Sequence, residues 1–125
     1  MTANDGAALQ TALAYYEAWT GKDFDRAMTY VADDVECLGP AGRLVGAAAF
    51  RGFMEPFSQA VTHTELLAAF GDDDTALLMY DTGTELVHRA PGAERLTVRD
   101  GVITQLRIIF DRAPFIAARQ RAEAG

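Results

Sequence analysis

The sequence predicts an α+β fold, with helices gathered at the front of the chain and strands behind them. Apolar residues recur at helical spacing up to about residue 60, and from residue 62 strand-like runs alternate with short polar turns. The Asp100-Gly101 pair between "ERLTVR" and "VITQLRIIF" is a tight-hairpin signal, which makes the late strands antiparallel. Helices first and an antiparallel meander afterwards put the helices on one face of a curved sheet.

Residues 7–20 form the first helix. Ala8, Ala12, Tyr15 and Trp19 follow one line at helical spacing, and Leu9, Leu13 and Tyr16 follow the adjacent one. Such a wide apolar face suits a helix packed on two sides. Gly21 ends it, and Asp23 is placed to cap the next helix. In "DFDRAMTYVADD", Phe24, Ala27, Met28 and Val31 mark a short amphipathic helix. "VECL" then reads as a short strand, "GPAGR" as a turn and "LV" as a brief returning strand. Residues 47–60 form a third helix with Phe50, Phe53, Met54 and Phe57 on one stripe. Pro56 removes one hydrogen bond there and predicts a bend. Residues 62–70, 75–88, 94–99 and 102–110 are the later strands, broken at 71–74, at Ala90-Pro91-Gly92 and at Asp100-Gly101.

A chain of 125 residues suits one domain spanning 1–125, and the hydrophobic share of 50% is that of a globular protein. The net charge of −7 argues against a nucleic-acid partner, which demands clustered Lys and Arg. Arg112, Arg119 and Arg121 read as a solvated tail. No apolar run approaches the roughly 20 residues that span a bilayer, and "MTANDGAALQ" lacks the regions of a signal peptide. A cytoplasmic protein with no membrane contact is the expectation. Cys37 is expected as a small core residue, and the aspartates at 72–74 as a solvated turn without the ligand pattern of a calcium loop. His63 and His88 share no ligand motif, so no metal is implied.

"ALLMYDTGTELV", residues 76–87, raises the functional question, because a carboxylate, Asp81, stands in the middle of a strand. It either faces water or enters an apolar interior. Gly83 leaves room for a bulge, which would shift the alternation of faces.

"YYEAWTGKDFDRAMTYVADDVE", "GRLVGAAAFRGFME" and "LTVRDGVITQLRIIFD" together resemble the SnoaL-like branch of the nuclear transport factor 2-like superfamily. Ketosteroid isomerases, polyketide cyclases and limonene-epoxide hydrolases are relatives of that branch. The resemblance runs from about residue 8 to 117. It implies a cystatin-like cone of three N-terminal helices on a curved, mainly antiparallel sheet, with a pocket at the open end. It also implies a homodimer through the outer face of the sheet, and no cofactor.

Matched residue by residue, the resemblance turns Leu106, Ile108 and Phe110 toward the pocket and leaves Asp111 outside in a structural role. It turns Met79 and Asp81 inward. Asp81 falls on a catalytic aspartate of the epoxide hydrolases, but their arginine position is Met79 and their last-strand aspartate is Ile108, so that activity is not expected. Tyr15 falls on the oxyanion-binding tyrosine of ketosteroid isomerases. Their catalytic base, however, falls at Gly39 before Pro40, their supporting tyrosine at Met54, and their second oxyanion acid near Glu94 only with a one-residue gap.

The expectation is therefore a pocket lined by Trp19, Phe53, Met54, Met79, Leu106, Ile108 and Phe110. Asp81 and Tyr15 are its catalytic pair, and His63 orients or shares a proton with Asp81. Desolvation would raise the Asp81 pKa toward general-base work on a carbon acid, with Tyr15 donating to an enolate oxygen. The substrate class implied is a small hydrophobic carbonyl compound, handled as by a polyketide cyclase or isomerase. A non-catalytic binder of small hydrophobic ligands and a dimeric interaction module are the alternatives.

Overall fold

A computed structural model describes residues 6–40 and 42–124. Helix α1 (Ala7–Thr20) buries Ala8, Leu9, Ala12, Tyr15, Tyr16, Ala18 and Trp19, the wide face its two apolar lines predict. Its first turn has no side-chain cap of its own. The aspartate turn supplies one: Ala8 N donates to the Asp72 carbonyl at 3.1 Å and Ala7 N to Asp73 Oδ1 at 3.2 Å. Acidic groups there also suit the positive end of the helix dipole. Asp72 Oδ1 accepts from Asp74 N and Thr75 N, which holds its carboxyl below the usual range.

Helix α2 (Phe24–Met28) starts where expected, with Asp23 accepting from Arg26 N at 3.1 Å. Helix α3 (Ala47–Ala60) runs through Pro56 and buries Phe50, Met54 and Ser58. Two bonds tie it to the end of α1. Ser58 Oγ donates to the Trp19 carbonyl at 2.6 Å, and Lys22 Nζ reaches the carbonyls of Ser58, Gln59 and Val61. An ammonium on the last carbonyls of a helix satisfies orphan acceptors and opposes the negative end of its dipole.

The strands are β1 (Val31–Gly39), β2 (Gly42–Val45), β3 (His63–Gly71), β4 (Thr75–Gly83), β5 (Ala90–Arg99) and β6 (Val102–Phe110). They make one sheet in the order β2-β1-β6-β5-β4-β3, with β1 parallel to β6 and every other pair antiparallel. Irregularities between Leu66 and Ala68 and between Thr97 and Val98 bend the strands and curve the sheet around α1 and α3. Asp100 and Gly101 both have positive φ, 52° and 79°, the geometry a two-residue hairpin needs.

Three boundaries differ from the sequence reading. β1 is a nine-residue strand rather than the short "VECL". β4 stops at Gly83, so residues 84–89 form a loop. β5 begins at Ala90, so Ala90-Pro91-Gly92 opens a strand instead of breaking one. Pro91 is tolerated because its carbonyl accepts from Asp111 N at 3.2 Å, and the first residues of a strand can forgo a donor. A fourth helix, α4 (Ala113–Ala124), follows the sheet where a solvated tail was expected, and Asp111 Oδ1 caps it by accepting from Ala113 N at 2.9 Å. Among the described residues no helix is long and apolar enough to cross a membrane.

Candidate functional site

The phase of β4 decides which of its side chains can reach the interior. Leu78, Tyr80 and Thr82 are buried on the inner face, while Met79 is 47% exposed on the outer face. Asp81 shares the phase of Met79. Both residues are therefore on the opposite face from the one expected, and Met79 points away from the interior. Gly83 is not the cause, since β4 and β5 stay in register from Thr75 to Thr82. Glycine is required at 83 because an added Cβ would collide with the His63 ring and the His88 carbonyl.

On the outer face Asp81 meets a cation. Its Oδ2 lies 3.4 Å from Arg89 Nε, and Arg89 also reaches Glu65 at 3.9 Å. His63 is exposed at the start of β3, with its ring 5.7 Å from that of His88. The residue opposite Asp81 on β3 is Glu65, not His63. Tyr15 is fully buried on the inner side of the sheet. Asp81, Tyr15 and His63 thus do not converge, because the sheet separates Tyr15 from Asp81.

The acid inside the cone is Glu94. β5 alternates without interruption, with Gly92, Glu94, Leu96 and Val98 buried and Pro91, Arg95 and Arg99 exposed. Glu94 is 2% exposed and sits between Leu78 and Ile108 on the neighbouring strands. Burial pushes its carboxyl up to about 7, and the Tyr80 phenol beside it offsets part of that rise. Burial first and the Glu94 charge second raise the Tyr15 and Tyr80 phenols well above their ordinary value. The buried Cys37 thiol is pushed up to about 11 by the same two causes.

Both Glu94 oxygens lack a hydrogen bond of regular geometry from the protein, as do the Tyr15 and Tyr16 hydroxyls and Trp19 Nε1. Each such buried group costs about 1–3 kcal/mol. Together they form a polar cluster inside an otherwise aromatic core.

Beside Tyr80 lies a small, partly open cavity of about 60 Å³, lined by Phe53, Met54, Phe57, Tyr80, Thr82, Gly92, Ile108 and Phe110. The expected lining residues Phe53, Met54, Ile108 and Phe110 are brought together there. Trp19 and Leu106 are instead fully buried in the core and do not line it. Tyr80 is the link, since it lines the cavity and also faces Glu94. Gly92 keeps the space open: an added Cβ would sit 3.2 Å from Tyr80 Cε1 and 3.5 Å from Phe110 Cβ. The sequence carried a signal for Glu94, which shares the phase of Leu96 and Val98. Reading Ala90-Pro91-Gly92 as a break hid the start of that alternation. Among the described residues no three His, Cys, Asp or Glu side chains converge to hold a metal.

The SnoaL-like domain profile matches residues 12–106, most of the chain. The chain belongs to the SnoaL-like domain family. A crystal structure of a protein from Kribbella flavida DSM 17836 is 62% identical to this SnoaL-like domain, with a TM-score of 0.93 over 95% of this chain and 98% of that one. Two more distant structures share the fold. One, provisionally described as a ketosteroid isomerase from the same organism, is 19% identical with a TM-score of 0.73 over 88% of this chain and 82% of that one. The other, an LEH-like epoxide hydrolase of M. tuberculosis, is 18% identical with a TM-score of 0.72 over 92% and 90%. No curated protein matches the chain. The SnoaL-like domain thus has the nuclear transport factor 2-like, cystatin-like architecture that its residues imply.

Proposed function

We propose that this SnoaL-like domain is a cofactor-independent acid–base enzyme acting on a small hydrophobic carbonyl compound, with Glu94 in the role first assigned to Asp81. One observation carries the reading: a buried carboxyl poised near 7 stands behind a tyrosine that lines a small, mostly apolar chamber. A carboxyl with that pKa is half ionised at neutral pH, where a general base works best. The Tyr80 oxygen, which lines the chamber, takes a proton from the carbon next to the carbonyl as its own proton passes to the Glu94 carboxylate behind it. The C=O becomes an enolate, and the Tyr80 hydroxyl holds the proton ready for return. Return of the proton to another carbon gives isomerisation, and attack of the enolate carbon on a second carbonyl gives cyclisation. A small hydrophobic molecule is therefore the partner proposed.

The experiment is deuterium incorporation into 2-tetralone in D2O, followed by NMR. The expected result is exchange next to the carbonyl that rises with pH through about 7 and is lost in both Glu94→Gln and Tyr80→Phe. Equal exchange by the wild type and Glu94→Gln would sink the acid–base role and leave a non-catalytic binder.

We also propose a homodimer through the outer face of the sheet. Phe70, Leu77 and Ile109 are 71%, 56% and 62% exposed there, beside Met79. The ladder sets Phe70 opposite Leu77, and the row Met79–Ala93–Ile109 runs beside that pair. A contiguous apolar patch of this kind marks an interaction surface.

A further inference from the structure

The chamber beside Tyr80, at about 60 Å³, falls far short of the roughly 300–1,000 Å³ of a site that encloses a whole small molecule. A second hollow, of about 840 Å³, lies between the end of α3, the loop at 84–89 and α4, and Phe57 lines both. Three rings separate them. Phe57 stacks on Phe110 at 6.3 Å, and Phe115 meets Phe57 at 6.5 Å and Phe110 at 5.5 Å, both edge-on. Phe110 faces the chamber and Phe115 faces the outer groove. Phe57 lines both spaces and packs on the other two rings, so rotation of these rings, or movement of α4, is the route by which the two spaces would join.

The groove also shows what kind of molecule fits it. Ala60, Val61, Leu86, Val87, Phe115 and Ala118 make its wall apolar, and Leu86 is 67% exposed. Lys22 borders it, but its three N–H donors are already spent on the carbonyls of Ser58, Gln59 and Val61. Glu85 and Arg119 add one charge of each sign. The wall therefore complements an uncharged apolar chain better than an anionic or cationic one.

We propose that chamber and groove are two halves of one site. The carbonyl end of the substrate passes the Phe57–Phe110–Phe115 partition to reach Tyr80, and an elongated, uncharged apolar body lies in the groove under α4. This rests on the reading of the chamber as the place of the carbonyl, and it narrows the substrate to carbonyl compounds longer than the chamber.

The test is binding of the straight-chain ketones from 2-butanone to 2-decanone, read by the fluorescence of Trp19. That residue is the only tryptophan, and its ring lies 6.1 Å from Phe57 and 5.6 Å from Tyr80. Affinity should rise about fourfold per methylene up to the longest ketones, as burial of each added carbon predicts. In Ala60→Phe and Ala122→Phe, which narrow the groove but not the chamber, the rise should stop at the short ketones. Phe115→Ala should speed association of the long ones.

A plateau at the short ketones in the wild type, a rise unaltered by the groove variants, or no saturable response to any ketone would each overturn the proposal. Glu94→Gln should keep the chain-length dependence. That separates the two readings: chain-length dependence without deuterium exchange leaves the two-part site standing and removes the enzyme, and exchange without chain-length dependence does the reverse.

Discussion

Asp81 and Glu94 stand on adjacent strands of one sheet, pointing to opposite faces. Asp81 has Arg89 at 3.4 Å and lies at the border of the outer face. Glu94 faces Tyr15, Tyr16 and Tyr80, and burial lifts its carboxyl to about 7. The residue types are nearly the same, yet one acid is a surface ion pair and the other is a buried carboxyl. The difference shows that strand phase decides whether an acid in this fold is ion-paired at the surface or desolvated in the interior.

The sharpest way to test that contrast is pH. A carboxyl whose native pKa is raised from its ordinary 4.5 to about 7 binds its proton more tightly folded than unfolded. Stability from this group is then fully present below about pH 4.5 and is lost as pH rises toward 7, a change on the order of 3 kcal/mol. Urea unfolding across that window should show the loss in the wild type and not in Glu94→Gln, so the difference between the two proteins isolates the group. Parallel pH profiles for the two would break the contrast at its centre.

A smaller effect is expected from Gly92→Val, which pushes methyl groups toward Tyr80 and Phe110. Overpacking of this kind costs about 1–3 kcal/mol. The variant should remain folded by circular dichroism while losing the fluorescence response to 2-butanone. A retained response would mean that ligands do not enter the chamber.

The outer face should respond least. Asp81→Asn removes a partly exposed pair worth about 0–1 kcal/mol, and should leave deuterium exchange on 2-tetralone unchanged. Leu77→Glu should shift monomer stability by no more than about 0.5 kcal/mol, while sedimentation shows loss of self-association. If Asp81→Asn abolished exchange, the assignment of the two acids would have to be reversed.

Much of the architecture was legible in the chain. The two apolar lines of α1, the stripe of α3 and the Asp100-Gly101 turn are local signals, and each appears where its spacing put it. Local chemistry suffices for such elements because helical period and turn geometry depend on near neighbours. α4 was missed because its sequence has little amphipathic pattern, and it is held by Phe115 and Ala118 against the body of the fold. The beginning of β5 was missed because Pro91 and Gly92 usually interrupt strands.

The site was less legible, and β4 shows why. "ALLMYDTG" has apolar residues in both phases, because Leu78 and Tyr80 fill the core while Leu77 and Met79 sit in the outer patch. Alternation fixes a phase only when one face is polar. The sequence by itself determined the first three helices, the β5–β6 hairpin, the family and most of the apolar residues around the chamber. Only the tertiary structure decided that Glu94, not Asp81, is the interior acid. That choice depends on which side of a two-faced sheet the helices cover, and no single strand carries that information.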